Sequence, residues 1–301
     1  WRDIGNCRWG RGFKRIKSTK HLIRVYVLHQ LELNIYICKK QNYMDYQNIL
    51  TKQNDGVLLI TINRPKNLNA LNHSTILELN HAFLDAEKSK NIKCLILTGT
   101  GKQSFIAGAD IKEFSTFNQK KGLELSKNGH HILFDLLENL SKPSIAAING
   151  YALGGGLELA LSCSFRIASE NSMMGMPEVT LGLIPGYGGT QRLPNIVGKG
   201  QALEMILTGK MISAKKAKEI GLVNYVIKQE ELLLKAKQLA LTIVKNSPSA
   251  ISKAIQCVNI GIKNIEKGFH EEQKQFGKCF ETEDFKEGIS AFLEKRKPDF
   301  N

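Results

Sequence analysis

The chain has 301 residues, 42% of them apolar and 23% charged, the balance of an ordinary globular protein with enough material for a large core. No run reaches the roughly 18 uninterrupted apolar residues that a membrane-spanning helix needs. The six cysteines, at 7, 38, 94, 163, 257 and 279, form no C-x-x-C pair, which argues against a disulfide framework and fits a reducing compartment. His130 and His131 read as solvated or helix-face residues, and no metal site is expected.

A net charge of +14 raises the question of a nucleic-acid partner, so its location matters. Residues 1–43 carry ten Lys/Arg against two Asp/Glu, whereas the remainder holds 32 against 26. The excess therefore sits mainly in a basic leader, which also contains both tryptophans and has no sustained periodicity. This leader is expected to lie outside the folded body and is read first as translated upstream sequence. An organelle-targeting segment and a nucleic-acid-binding arm are the alternatives. The body is expected to comprise an α/β core over 44–240 and a C-terminal helical region over 241–301.

In chain order, Gln47–Gln53 and Val57–Asn63 flank Asn54-Asp55-Gly56 and predict a β-hairpin. Ile76, Leu79 and Phe83 recur at helical spacing within Ser74–Ser89. Ile92–Thr98 predicts a short apolar strand, Lys121–Leu140 a helix, and Ser144–Ile148 another strand. This alternation argues for βαβ units and a largely parallel sheet. From about residue 198 helices dominate, at 201–207, 214–220, 230–245, 249–261 and 266–279, with one strand-like run at 222–227.

Two glycine-rich segments invite a nucleotide reading and fail it. Gly99-Thr100-Gly101-Lys102 lacks the first P-loop glycine, since Ile96 stands there, and Gln103 replaces the metal-binding Ser/Thr. Gly154-Gly155-Gly156 does not fit G-x-G-x-x-G. At a helix start those glycines can instead bring bare N–H groups to an oxygen that gains negative charge; the plain alternative is a tight turn before a buried helix.

Glu158 follows in the first turn of that otherwise apolar helix, a position that tends to bury the carboxylate. Glu178 lies in Gly175–Gly182, just before the loop Ile184–Thr190, which is expected to need unusual backbone angles. Each alone reads as a solvated or ion-paired side chain; together they can act as general base and general acid. Phe105–Glu113 offers small residues that can present a further N–H, or an ordinary loop with Asp110 as N-cap.

Four segments carry a resemblance: A-G-A-D-I-K-E at 107–113, N-G-Y-A-L-G-G-G-L-E-L-A at 149–160, P-E-V-T-L-G-L-I-P-G-Y-G-G-T-Q-R-L at 177–193 and F-L-E-K-R-K-P-D-F at 292–300. From Met44 onward the chain resembles the crotonase superfamily and most nearly its short-chain enoyl-CoA hydratases. The resemblance implies a crotonase-type spiral of ββα units, a helical C-terminal trimerisation region and a homo-hexamer built as a dimer of trimers. It implies an oxyanion hole from the N–H groups of Ala109 and Gly155, and paired catalytic carboxylates at Glu158 and Glu178. Arg64, Ala70, Ala107, Ala109, Asp110, Ile111, Lys112 and Gly155 would lie along the coenzyme A thioester. Phe276, Phe292 and Lys295 match positions near the pantetheine and nucleotide, some reached from a neighbouring subunit.

The implied reaction is reversible addition of water across the 2,3 double bond of a 2-enoyl-CoA. It has no cofactor beyond the coenzyme A of the substrate, and no membrane or nucleic-acid partner. The rivals are a branched-chain hydratase, an enoyl-CoA isomerase, and a nucleic-acid-binding member using the basic leader. The cytoplasm is the expected location, or the mitochondrial matrix if residues 1–43 are a targeting leader.

Overall fold

A computed structural model describes residues 46–300; the expectations for residues 1–43 and for Met44 lie outside that range. The hairpin is present as β1 (Ile49–Asn54) and β2 (Val57–Ile62). Its two turn residues, Asp55 and Gly56, both have positive φ, 51° and 76°, the twist that a two-residue turn between antiparallel strands requires.

From β2 onward the chain repeats one move. A strand joins a long sheet, a short strand leaves it for a second sheet, and helical chain returns. The pairs are β3 (Cys94–Gly99) with β4 (Ser104–Ile106), β5 (Ser144–Ile148) with β6 (Tyr151–Leu153), and β7 (Phe165–Ser169) with β8 (Met173–Gly175). With β9 (Ile212–Ser213) and β10 (Tyr225–Ile227), they build a six-stranded sheet ordered β1-β2-β3-β5-β7-β10 and a four-stranded sheet ordered β4-β6-β8-β9. Apart from β1/β2 and β8/β9, neighbouring strands are parallel. This is the expected spiral of ββα units, with its second layer made of strands too short to announce themselves in sequence.

The long sheet is covered on both faces, so β3 and β5 are buried at every position. Leu95, Leu97, Ala146 and Ile148 face the main core, and Cys94, Ile96, Ile145 and Ala147 face the other way. Onto that second face packs the helix Leu232–Val244, through Leu232, Ala236 and Ala240 at i, i+4, i+8 spacing. The boundary drawn at residue 240 falls inside this helix. Beyond it come the helices Pro248–Lys263, Ile265–Cys279 and Glu283–Leu293, N-capped by the side chains of Ser247, Asn264 and Thr282.

Two buried asparagines fix the crossing from β3 to β4. Asn149 Nδ2 donates to the carbonyls of Gly99 and Gly101 at 2.9 and 2.8 Å, and Asn69 Nδ2 to those of Thr100 and Ser104 at 3.1 and 2.8 Å. A loop that would otherwise bury unpaired carbonyls thus becomes a rigid platform for residues 107–110.

The segment expected as one helix over 121–140 is instead three pieces. The α-helix Gln119–Gly129 widens into a π-helical stretch, His130–Phe134, before the turn Asp135–Glu138. At the junction the Tyr187 ring packs directly on the backbone: a Cβ on Gly129 would stand 2.2 Å from Tyr187 Cε1, so only glycine fits there.

Candidate active site

Three adjacent parallel strands of the short sheet, β4, β6 and β8, end side by side. The chain leaving their C-terminal ends carries the chemistry, as is usual for parallel sheets. Past β4 come Ala107–Ala109, past β6 the helix Gly155–Ser162, and past β8 the 3₁₀ turn Pro177–Leu181 bearing Glu178. The register Leu153↔Gly175 continues as Gly154 N–H donating to Gly175 O at 2.9 Å, which sets Glu178 over Gly154. Gly154 has φ +48°, and a Cβ there would meet Glu178 Oε1 at 2.7 Å, so only glycine fits.

These segments line a cavity of about 650 Å³, with Glu158, Glu178, Ala109, Gly155 and Tyr187 on its walls and Phe114, Phe117, Leu125 and Leu183 among its apolar lining. Ala109 reaches it through a parallel bridge to Leu71, in which Leu71 N–H donates to Gly108 O and Asp110 N–H donates to Leu71 O. That pattern turns the N–H of Ala109 itself away, and among the described residues no backbone acceptor takes it. Gly155, the first residue of its helix, likewise has an N–H with no intrahelical partner. A Cβ on Gly155 would lie 3.6 Å from Ala109 N, so the two donors border one small space.

Glu158 is buried, at 1% exposure, one turn into that helix. Its Oε1 accepts from the N–H groups of Tyr187 and Gly189, both at 2.8 Å. Loss of hydration pushes its carboxyl up to about 7, against the pull of those two N–H bonds and with a further push from Glu178. Burial also raises Glu178, whose Oε2 is enclosed and has no hydrogen-bond partner among the described residues. Two facing carboxyls, each made more basic by burial, are the groups a proton transfer near neutral pH needs.

The other expected positions divide into three. Ala107 and Ile111 line the cavity with Ala109 and Gly155. Arg64 and Asp110 pair at 3.1 Å, and Arg64 Nη1 also donates to the carbonyl of Ala70, so these three brace the loop from behind. The plain alternative for Asp110, a helix cap, is not what forms: its side chain caps nothing at the 3₁₀ turn Ile111–Glu113, which holds Lys112, and its carboxylate is committed to Arg64. Phe276, Phe292 and Lys295 do not line the cavity; the two phenylalanines sit on the C-terminal helices with rings 66% and 79% exposed.

Three contributors were not singled out in the sequence. Tyr187 stacks on Phe134 with centroids 4.6 Å apart and planes at 10°, and its ring faces Gly155. Gly129 makes room for it. Arg192 grips the loop that holds Glu158. The G-Y-G-G run at 186–189 was visible as a constrained loop, and of its three glycines only Gly188 needs a positive φ, at 102°. Among the described residues no three His, Cys, Asp or Glu side chains assemble as a metal site.

Gly156 provides a steric test of this architecture. A Cβ there would come 2.1 Å from Ile106 O, a backbone atom in β4 that cannot swing aside. Gly156→Ala is expected to cost at least about 1–3 kcal/mol of stability, read by thermal unfolding; an unchanged melting temperature would show that the helix and β4 are not so tightly apposed.

Residues 52–301 match the family model described as enoyl-CoA hydratase/isomerase. The chain is 46% identical over 255 residues to the short-chain-enoyl-CoA hydratase of Clostridium acetobutylicum, spanning 84% of this chain and 97% of that protein. It is 44% identical over 258 residues to the crotonyl-CoA hydratase of Syntrophomonas wolfei, spanning 85% and 99%. The crystal structure of the enoyl-CoA hydratase from Bacillus anthracis superposes with a TM-score of 0.79 at 39% identity, covering 84% of this chain and 99% of that one. By sequence over most of its length and by fold, the chain belongs to the enoyl-CoA hydratase/isomerase family.

Proposed function

We propose that the protein is an enoyl-CoA hydratase that adds water reversibly across the 2,3 double bond of a short 2-enoyl-CoA. The observation that carries this reading is the pair of carboxyls, Glu158 buried and Glu178 half-buried, on one cavity with two unspent N–H donors. The thioester oxygen sits between the N–H groups of Ala109 and Gly155, which stabilise the negative charge it gains in the enolate. One such donor is worth about 2.7–4 kcal/mol.

Glu158 Oε1 is held by two N–H groups, which leaves Oε2 to bind and polarise the attacking water. The hydroxyl of that water forms the bond to C3. Glu178, whose Oε2 no group among the described residues occupies, delivers the proton to C2 and is recharged from the same water. The two groups titrate as a pair, so base and acid are shared roles. Water addition transfers no electrons to or from an external partner and calls for no cofactor; coenzyme A enters with the substrate.

The same reading includes a homo-hexamer, a dimer of trimers. Phe269, Phe276, Phe292 and Leu293 on the C-terminal helices are exposed apolar side chains that a second copy would cover, bringing Phe276, Phe292 and Lys295 toward a neighbour's coenzyme A. Cys94, Cys163, Cys257 and Cys279 are free thiols, which suits the reducing cytoplasm or matrix. No helix among the described residues is long and apolar enough to cross a membrane.

The test is loss of the conjugated-enoyl absorbance when the full chain meets crotonyl-CoA, with Gly155→Ala beside it. The added methyl meets only ordinary contacts, 3.5 Å from Tyr187 Cδ2 and 3.6 Å from Ala109 N. The variant should therefore melt like wild type. Its methyl fills the space between the two donors, and turnover should fall on the order of 100-fold or more. Wild-type turnover in Gly155→Ala would remove the oxygen from that space. No reaction of the wild type with crotonyl-CoA or longer enoyl-CoAs would end the hydratase reading.

A further inference from the structure

Glu158 is oriented through a chain of contacts that ends outside the cavity. Arg192, on the helix Gly189–Val197, has a nearly buried side chain, 9% exposed, with its whole guanidinium fork engaged. Nε and Nη2 donate to Glu138 Oε1 and Oε2, both at 3.1 Å, and Nη2 also donates to Asp135 Oδ1 at 2.7 Å. The remaining arm, Nη1, donates to the backbone carbonyl of Tyr187 at 2.8 Å. A Cβ on Gly188 would lie 2.1 Å from this Nη1, so the guanidinium rests directly on the turn. The Tyr187 carbonyl is thereby pulled outward, and the N–H groups on either side of Gly188, those of Tyr187 and Gly189, converge on Glu158 Oε1.

We infer that Arg192 is a positioning residue for Glu158: anchored on Asp135 and Glu138, it clamps the Tyr187–Gly189 turn that aims the carboxylate at the water. This rests on the hydratase reading for its consequence in turnover, but the clamp itself does not. A planar, five-donor guanidinium can bridge two carboxylates and a carbonyl at fixed angles, and a lysine cannot. The arrangement also ties the site to the surface, because Glu138 is approached by Lys263 Nζ at 3.7 Å and its carbonyl accepts from Asn259 Nδ2 at 2.7 Å, both on the helix Pro248–Lys263.

The charged and titratable groups around Glu158 are few. Glu178 faces it from the 3₁₀ turn and Arg192 from its own helix. Glu113, which accepts from the His73 N–H at 2.7 Å, acts on the Tyr187 phenol only through its charge, and His130, 3.5 Å from Asp135, completes the outer ring with Asp135, Glu138 and Lys263. Removing Arg192 takes away the cation nearest the carboxylate and leaves Asp135 and Glu138 behind the turn without their guanidinium partner, Glu138 keeping only Lys263 at 3.7 Å and Asp135 only His130 at 3.5 Å. The Glu158 carboxyl should therefore hold its proton to higher pH.

The experiment compares wild type, Arg192→Gln, Glu158→Gln and the double variant in the full chain. Arg192→Gln is expected to lower kcat on the order of 100-fold with KM for crotonyl-CoA little changed, and to move the acid limb of the pH profile up by about one unit. In the Glu158→Gln background the same substitution should cost almost nothing, because an effect exerted through Glu158 cannot be lost twice. A merely structural role would reduce turnover equally in both backgrounds and leave the pH limb in place, and that result overturns the inference. Carbon-13 NMR titration of Glu158, assigned by its absence in Glu158→Gln, reads the clamp without substrate. An unshifted Glu158 in Arg192→Gln sinks it even if the wild type proves inactive on enoyl-CoAs. Should Arg192→Gln fail to fold, Glu138→Gln removes one anchor and is expected to shift kcat and Glu158 in the same directions, by less.

Discussion

Glu178→Gln is expected to lower the turnover of crotonyl-CoA by roughly 10²–10⁴-fold while the protein folds as before. The side chain is matched in shape, and the 3₁₀ turn that carries it is held by its own backbone, with Leu183 N–H donating to Glu178 O at 3.1 Å and Thr180 Oγ1 to Pro177 O at 2.7 Å. Among the described residues no partner holds the carboxylate at Oε2, which is enclosed. An amide can neither donate an acidic proton to C2 nor recover one from water. Steady-state kinetics on crotonyl-CoA, with thermal unfolding as the control, measures both halves. Turnover like that of the wild type would take Glu178 out of the mechanism; a collapse in melting temperature would make it a structural residue.

Glu158→Gln should also lower turnover, by roughly 10²–10⁴-fold and to a residual rate that can still be measured, but with a gain in stability that depends on pH. Burial lifts the Glu158 carboxyl from an ordinary 4.5 to about 7 in the folded protein. Between those values the folded state keeps a proton that the unfolded chain has released, so wild-type stability falls as pH rises through that window. The penalty is complete above it, at roughly 3 kcal/mol. Glutamine stays neutral throughout, and its Oε1 still accepts from Tyr187 and Gly189. The variant should therefore unfold at higher denaturant concentration than wild type at pH 8, and the difference should shrink toward pH 5. Equal shifts at both pH values would mean that Glu158 is ionised at little cost, contrary to its burial. On the proposed mechanism, the charge of Glu158 is held ready at a cost in stability.

Much of the site was legible because its parts are local. The glycines at 154–156 announce a helix start with free N–H groups, and a glutamate two residues on must point into whatever that helix packs against. Both expectations hold, with Gly155 opening the helix and Glu158 buried. The hairpin at 49–62 was equally readable, since its turn chemistry lies in two adjacent residues. By contrast β4, β6 and β8, three residues each, are too short for any period to register, yet their side-by-side pairing is what brings residues 109, 155 and 178 together. The helix over 119–138 was readable, but its π-helical stretch and the packing at its start were not, because the ring that lies on Gly129 comes from 58 positions beyond it.

The sequence by itself determined the elements whose cause is near at hand: a hairpin turn from Asn54-Asp55-Gly56, helices from 3.6-residue periodicity, and a largely parallel sheet from strands alternating with helices. It also determined the family, through four motifs in order. Only the tertiary structure decided which of those pieces meet. It committed Asp110 to Arg64 rather than to a helix cap, placed Tyr187 between Phe134 and Gly155, and anchored Arg192 on Asp135 and Glu138. The physical reason is range. Propensity and patterning act over a few bonds, whereas the basicity of Glu158 and the aim of its carboxylate come from burial and from donors 29 and 31 residues away, set by strand order and side-chain fit.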